Sequence, residues 1–178
     1  PGRPIAAWAM IETPAGVLAA TAIAGALGPD GVLVLGLNDL ARETGIAQER
    51  GRAPMQAILT MAVLAARAHG VGVLDGVFND LADAEAFEAE CRQGRAFGFD
   101  GKTVVHPRQI DPANAIFGPA EGEIAEAKAI VAAFAMQENA GRGVIALGGR
   151  MVERLHLAMA EDLLARAAAI AEKEGGGR

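Results

Sequence analysis

The stretch GPDGVLVLGLND, residues 28–39, decides how the chain folds. Gly28-Pro29-Asp30-Gly31 is turn punctuation. Val32 to Leu35 is a short continuous apolar run closed by Gly36, the pattern of a strand buried on both faces. Asp39 to Glu43 then reads as a short helical turn. The same alternation extends in both directions. Upstream, Ile5 to Ile11 (IAAWAMI) is another apolar run, ended by Pro14, and Val17 to Leu27 reads as a helix. Downstream, Gly45 to Arg52 is a polar loop, and Pro54 stands where a first helical residue belongs. Met55 to His69 is an amphipathic helix stopped by Gly70, and Val71 to Leu74 is a third buried strand. Asp83 is a suitable N-cap for a helix from Ala84 to about Arg95. Thr103 to Val105 is the fourth strand, ended by His106-Pro107.

The order β-α-β-α-β-α-β implies parallel strands joined by right-handed crossovers, lying side by side in the order 1-2-3-4. After Pro119 the pattern is helical, with Glu121 to Glu138 as one helix and about Met151 to Lys173 as another. Between them Val144 to Leu147 is a short extended piece, and Gly148-Gly149 supplies a hinge. The tail Glu174–Arg178 is expected to fray. Four strands do not close a barrel. They form either a small open doubly wound sheet or part of a (β/α)₈ barrel of the TIM type, which runs to about 250 residues when complete. The expected domains are 1–118, the C-terminal half of such a barrel, and 119–178, a helical extension or lid.

The 178 residues carry a net charge of −6, with aromatics at 4% and no tyrosine, so neither a basic nucleic-acid surface nor a base-stacking platform is present. No apolar run reaches the roughly 18 residues of a membrane-spanning helix. The single cysteine, Cys91, excludes a disulfide within the chain and suits a reducing cytoplasm. No signal peptide is visible, though a chain beginning Pro1-Gly2-Arg3-Pro4 tests this poorly.

Polar residues recur just after the strands: Glu12-Thr13, Asn38-Asp39, Asp75 with Asn79-Asp80, and His106. In a parallel α/β protein the C-terminal strand ends share the face where catalytic groups gather. Glu12 and Asp39 are 27 positions apart, one βα unit. Neighbouring strands lie about 4.8 Å apart, so both carboxylates can reach one ion. Two carboxylates completed by water and substrate suit Mg²⁺. The plainer alternative for Asp39 is a helix cap; Glu12 is harder to explain that way, because glutamate caps poorly. Asp75 and Asp80 are expected to face the mouth of the sheet. His106 is read as a strand-end packing or hydrogen-bonding residue, and Cys91 as inert.

Five segments then carry a resemblance: Met10 to Val17 (MIETPAGV), Leu35 to Leu40 (LGLNDL), Leu74 to Asp80 (LDGVFND), Arg95 to Ile110 (RAFGFDGKTVVHPRQI) and Gly149 to Glu153 (GRMVE). In this order, over about Ala7 to Ala167, the chain resembles the citrate lyase β-subunit-like family, in the HpcH/HpaI aldolase group with the malyl-CoA and citramalyl-CoA lyases. The resemblance implies a (β/α)₈ barrel and a Mg²⁺-dependent carbon–carbon lyase. Such an enzyme cleaves a 3-hydroxyacyl thioester, on CoA or an acyl carrier, to acetyl-CoA or a related thioester and a 2-oxo acid, or runs the reverse condensation. It implies Glu12 and Asp39 as metal ligands. Gly36, Leu37, Asn38 and Asp39 would bind the 2-oxo acid, with backbone N–H groups on its carboxylate. Glu153 stands where the family carries a catalytic aspartate supplied by a neighbouring subunit, which implies a homo-oligomer. The family's enolate-stabilising arginine lies on earlier strands, so the 178 residues by themselves are expected to be nearly inactive.

Two other classes compete. One is a truncated, non-catalytic barrel remnant serving as a subunit or binding module. The other, an open-sheet nucleotide-binding domain, fails because neither G-x-G-x-x-G nor G-x-x-x-x-G-K-[ST] follows any strand.

Overall fold

A computed structural model describes residues 5–175. They form two compact units, the first ending at Phe117 and the second beginning at Gly118.

The first unit is built on four parallel strands in the order expected: β1 (Trp8–Ile11), β2 (Val32–Leu35), β3 (Gly72–Asp75) and β4 (Gly101–Lys102). Helices return the chain between them: α1 (Pro14–Leu18), α2 (Ala20–Leu27), α3 (Leu37–Thr44), α4 (Gln56–His69) and α5 (Ala84–Phe97), with α6 (Ile110–Phe117) after β4. This is the α/β architecture of a TIM-type barrel, present as four βα units. Ile11, Leu33, Leu35 and Val73 occupy one face of the sheet, at most 2% exposed, and pack into a core with Ala20 and Ala24 of α2 and Leu59, Ala62 and Ala66 of α4. The small residues let α2 and α4 approach the sheet closely. On the opposite face of β1, Trp8 is 62% exposed and Met10 is 56% exposed. The expectation that the first strand is buried on both faces is corrected by that alternation.

Three boundaries move. The expected strand Ile5–Ile11 pairs only from Trp8. The helix expected over Val17–Leu27 is two helices meeting at Ala19. The fourth strand is Gly101–Lys102 rather than Thr103–Val105. Its position is set by β3, which ends at Asp75 and pairs Leu74 with Gly101 and Asp75 with Lys102. Beyond Lys102 no β3 residue remains in the ladder, so Val105, 53% exposed, gains nothing from its strand propensity.

The second unit contains α7 (Glu121–Ala135), a hairpin of β5 (Val144–Leu147) and β6 (Arg150–Glu153), and α8 (Arg154–Gly175). The extended piece expected over Val144–Leu147 is β5, while the helix start expected at Met151 is corrected, since Arg150–Glu153 forms β6 and α8 begins at Arg154. Leu147 pairs with Arg150, leaving Gly148-Gly149 as a two-residue turn with φ of 56° and 76°. Positive φ at both positions is what a type I′ hairpin needs, so the glycines close a turn instead of forming a hinge. Ile145 and Val152 pack with Ala133 and Phe134 of α7. The tail residues 176–178 lie outside the described residues. No described helix is long and apolar enough to cross a membrane.

Candidate functional site

The strand ends of the first unit hold two carboxylates in contrasting states. Glu12 follows β1 directly. It is half-buried, and among the described residues its carboxylate makes no hydrogen bond or ion pair. It lies against Gly36: a Cβ at that position would stand 2.5 Å from the Glu12 Cβ and 3.0 Å from its Oε2. The contact follows from the ladder, which the Gly36 N–H extends by donating to the Ile11 carbonyl at 3.0 Å. Gly36 is also the N-cap residue of α3 and provides no side-chain cap. The helix that carries Asp39 in its first turn therefore starts beside the Glu12 side chain.

Asp39 is half exposed and pairs with Arg42 at 3.0 Å, one turn along α3. A surface pair of this kind contributes little, about 0–1 kcal/mol, so a cation can displace Arg42 at small cost. No set of three or more His, Cys, Asp or Glu among the described residues is arranged to hold a metal ion. Two hard carboxylate oxygens completed by water and substrate fit Mg²⁺, which keeps several waters, and do not fit zinc, which prefers four nitrogen or sulfur ligands in closed sites.

Asn38, also in the first turn of α3, meets two other loops. Its Oδ1 accepts from Asn79 Nδ2 at 2.8 Å and from Gln48 Nε2 at 3.1 Å, and Gln48 Nε2 also reaches the Leu37 carbonyl at 3.2 Å. A cavity of about 250 Å³ opens next to these groups, bordered by Leu37, Asn38, Gln48, Phe78 and Asn79. Glu12 does not line it.

Asp75 departs from expectation. It does not face the mouth of the sheet. It is fully buried on the helix side, where a Cβ on Gly94 of α5 would come within 2.7 Å of its Oδ2. Its carboxylate takes Arg52 Nη1 at 2.7 and 2.8 Å, Lys102 Nζ at 3.3 Å and the Gly76 N–H at 2.8 Å. Lys102 Nζ also reaches Glu90 Oε1 at 2.6 Å. This cluster of two cations and two carboxylates was missed from sequence. The available signal was Lys102, a lysine entering a sheet, which needs a buried counter-charge.

His106 and Cys91 are structural. His106 caps the 3₁₀ turn Pro107–Gln109: its Nδ1 accepts from the Arg108 N–H at 3.1 Å, while Gln109 Oε1 accepts from the His106 N–H at 3.3 Å. Burial pushes the Cys91 thiol up to about 11, with nearby Lys102 opposing the shift, which fits an inert side chain. In the second unit Glu153 ends β6, and its N–H donates to His156 Nδ1 at 2.9 Å.

Parallel strands of TIM-barrel type, with carboxylates at their C-terminal ends, define the class to which the fold belongs. Within it, residues 3–107 match the HpcH/HpaI aldolase/citrate lyase family. The chain belongs to that family. It is 48% identical over 164 residues to a (3S)-malyl-CoA thioesterase of Cereibacter sphaeroides, covering 92% of this chain and 57% of the relative. It is 34% identical over 181 residues to citrate lyase subunit beta of Leuconostoc mesenteroides, covering 98% and 59%. The crystal structure of the protein CitE from Mycobacterium tuberculosis, in complex with magnesium, acetoacetate and coenzyme A, superposes with a TM-score of 0.73 at 32% identity, covering 89% of this chain and 60% of that one. The chain thus spans a little over half the length of these relatives.

Proposed function

We propose that this chain forms the metal-binding part of a Mg²⁺-dependent enzyme acting on an acyl-CoA thioester of the malyl type. The observation that carries the reading is Glu12: a half-buried carboxylate without a partner among the described residues, set against the first turn of the helix bearing Asp39. Leaving such a group uncompensated is unfavourable, and a cation held with Asp39 compensates it. Magnesium, when bound, supplies Lewis-acid withdrawal of charge from a substrate oxygen. The chain's own contribution is position. The N–H groups of Leu37 and Asn38, at the uncapped start of α3, hold a substrate carboxylate, and Gly36 lets that carboxylate approach the backbone. Glu153, acting from a neighbouring subunit of a homo-oligomer, is proposed to exchange a proton with the substrate.

For the bond that breaks, the relative at 48% identity favours thioester hydrolysis: water adds to the carbonyl carbon, the C–S bond breaks, and the departing sulfur takes a proton. The second reading is carbon–carbon cleavage to a 2-oxo acid and acetyl-CoA. Citrate lyase subunit beta and the CitE complex with an oxo acid and magnesium favour it. One assay separates them. A polypeptide carrying this sequence at the relatives' whole length is given malyl-CoA and Mg²⁺, and free thiol and 2-oxo acid are measured together. Thiol with malate means hydrolysis; 2-oxo acid without thiol means lyase. Neither product, with CoA still bound, favours a non-catalytic subunit. Glu12→Gln and Asp39→Asn should each weaken Mg²⁺ binding and turnover, and unchanged magnesium titrations in both would remove them as ligands. Glu153→Gln should slow turnover with metal binding intact. The 178 residues assayed alone are expected to run at least roughly 10²–10³-fold slower, the loss typical of one missing electrostatic contact.

A further inference from the structure

The polar loop Gly45–Arg52 is fastened at three places. It leaves α3 at Gly45, whose left-handed backbone caps the helix. It re-enters the core at Arg52, the only non-glycine with positive φ (52°) among the described residues. Arg52 is held there by Asp75 and by a 2.8 Å bond from its Nε to Gln93 Oε1. Between these ends Gln48 turns back over the start of α3, donating to the Leu37 carbonyl and to Asn38 Oδ1. From the other side Asn79 completes a reciprocal amide pair with Asn38, at 2.8 and 3.3 Å. The loop after β3 is itself seated on α3: a Cβ at Gly76 would lie 2.6 Å from Leu37 Cγ.

The contacts of Gln48, Asn79 and Gly76 converge on the first turn of α3. That turn has no side-chain cap, and an uncapped first turn is where a helix frays. It also carries Asp39. We propose that Gln48 and Asn79 are positioning residues: through Asn38 and the Leu37 carbonyl they clamp the first turn of α3 beside Glu12, so that Asp39 is held ready for the cation. The buried Arg52–Asp75 pair acts at one remove, by fixing the loop from which Gln48 reaches. A ligand held in place before binding loses less freedom when the ion arrives. The inference rests on Glu12 and Asp39 being the Mg²⁺ ligands.

The test uses the 178-residue chain with Gln48→Met, which keeps length and removes the donor, and with Asn79→Ala. One neutral hydrogen bond shifts an equilibrium by roughly 2- to 10-fold. Without metal, hydrogen exchange at the Leu40 amide, which donates to the Gly36 carbonyl at 3.1 Å, should speed up by about that factor in each variant, while the amides of β2 and the thermal midpoint hold. Calorimetric titration with Mg²⁺ should show affinity weakened by a similar factor, and by more in the double variant. If the parent binds Mg²⁺, Glu12→Gln abolishes binding and both clamp variants bind as the parent does, the clamp is refuted while the site stands. If the parent binds no Mg²⁺, or Glu12→Gln binds it unchanged, the site reading falls and the clamp with it. A thermal midpoint that drops in step with affinity would make the role merely structural and overturn the inference.

Discussion

Replacing Asp75 tests whether the buried ion cluster holds the first unit together. The carboxylate is fully buried and accepts from Arg52, Lys102 and the Gly76 N–H. The side chains of Arg52 and Lys102 are 5% and 0% exposed. In Asp75→Asn both cations remain inside with only Glu90 to balance them, a net buried charge of one. Removing one partner of such a pair costs about 3–5 kcal/mol, against a total stability of about 5–15 kcal/mol. With a urea dependence of about 2 kcal/mol per molar, the midpoint should fall by roughly 2 M. Urea unfolding followed by Trp8, the single tryptophan, reports on the first unit. Adding Lys102→Met removes the surplus cation and leaves Arg52 facing Glu90. The double variant should therefore be more stable than Asp75→Asn alone, a coupling that additive effects would not produce. A loss below about 1 kcal/mol in Asp75→Asn, or a double variant weaker than the single, would refute the argument.

Two further outcomes follow from the same geometry. Gly36→Ala has no backbone obstacle, since φ is −97°, but its Cβ would strike Glu12. It should cost about 1–3 kcal/mol, the usual price of overpacking, and weaken Mg²⁺ binding at least about tenfold, as read by urea unfolding and calorimetry. Cys91, with its thiol raised from 9.0 to about 11 by burial, should resist a thiol reagent at pH 8 until the chain is unfolded. Because the unfolded thiol ionises first, its contribution to stability is intact below pH 9 and is lost as pH rises through about 11, which a pH series of urea midpoints will show.

The sheet was legible wherever an apolar run was bounded by turn residues on both sides. Val32–Leu35 between Gly31 and Gly36 was read without error, and Asp83 caps α5 as expected, accepting from the Ala86 N–H. Misreadings arose where the deciding partner is distant in sequence. Thr103–Val105 has the better strand composition, yet β3 pairs with Gly101 and Lys102 because of where β3 stops. Gly148-Gly149 lies between two short strands, and only the second of them, Arg150–Glu153, distinguishes a hairpin turn from a hinge. Arg52 sits at the end of a polar loop and reads locally as solvated; its burial depends on Asp75, 23 positions on.

Glu12 and Asp75 both follow or end a strand, and strand phase decides their different surroundings. In a strand, successive side chains point to opposite faces. Ile11 is in register with Leu35, and Val34 with Leu74, which places Asp75 level with Leu35 on the helix-facing side. There a charge is enclosed by α5 and the preceding loop, and it persists only with counter-charges, which Arg52 and Lys102 supply. Glu12 stands one residue beyond Ile11 and so emerges on the other face, the face that carries the exposed Trp8 and Met10. No cation of the described residues reaches it there. A shift of one residue in strand phase thus separates a carboxylate neutralised by the fold from one left available to an external cation. The two are linked all the same, because the loop anchored by Asp75 through Arg52 carries Gln48, whose bonds end at the first turn of α3 where Asp39 sits.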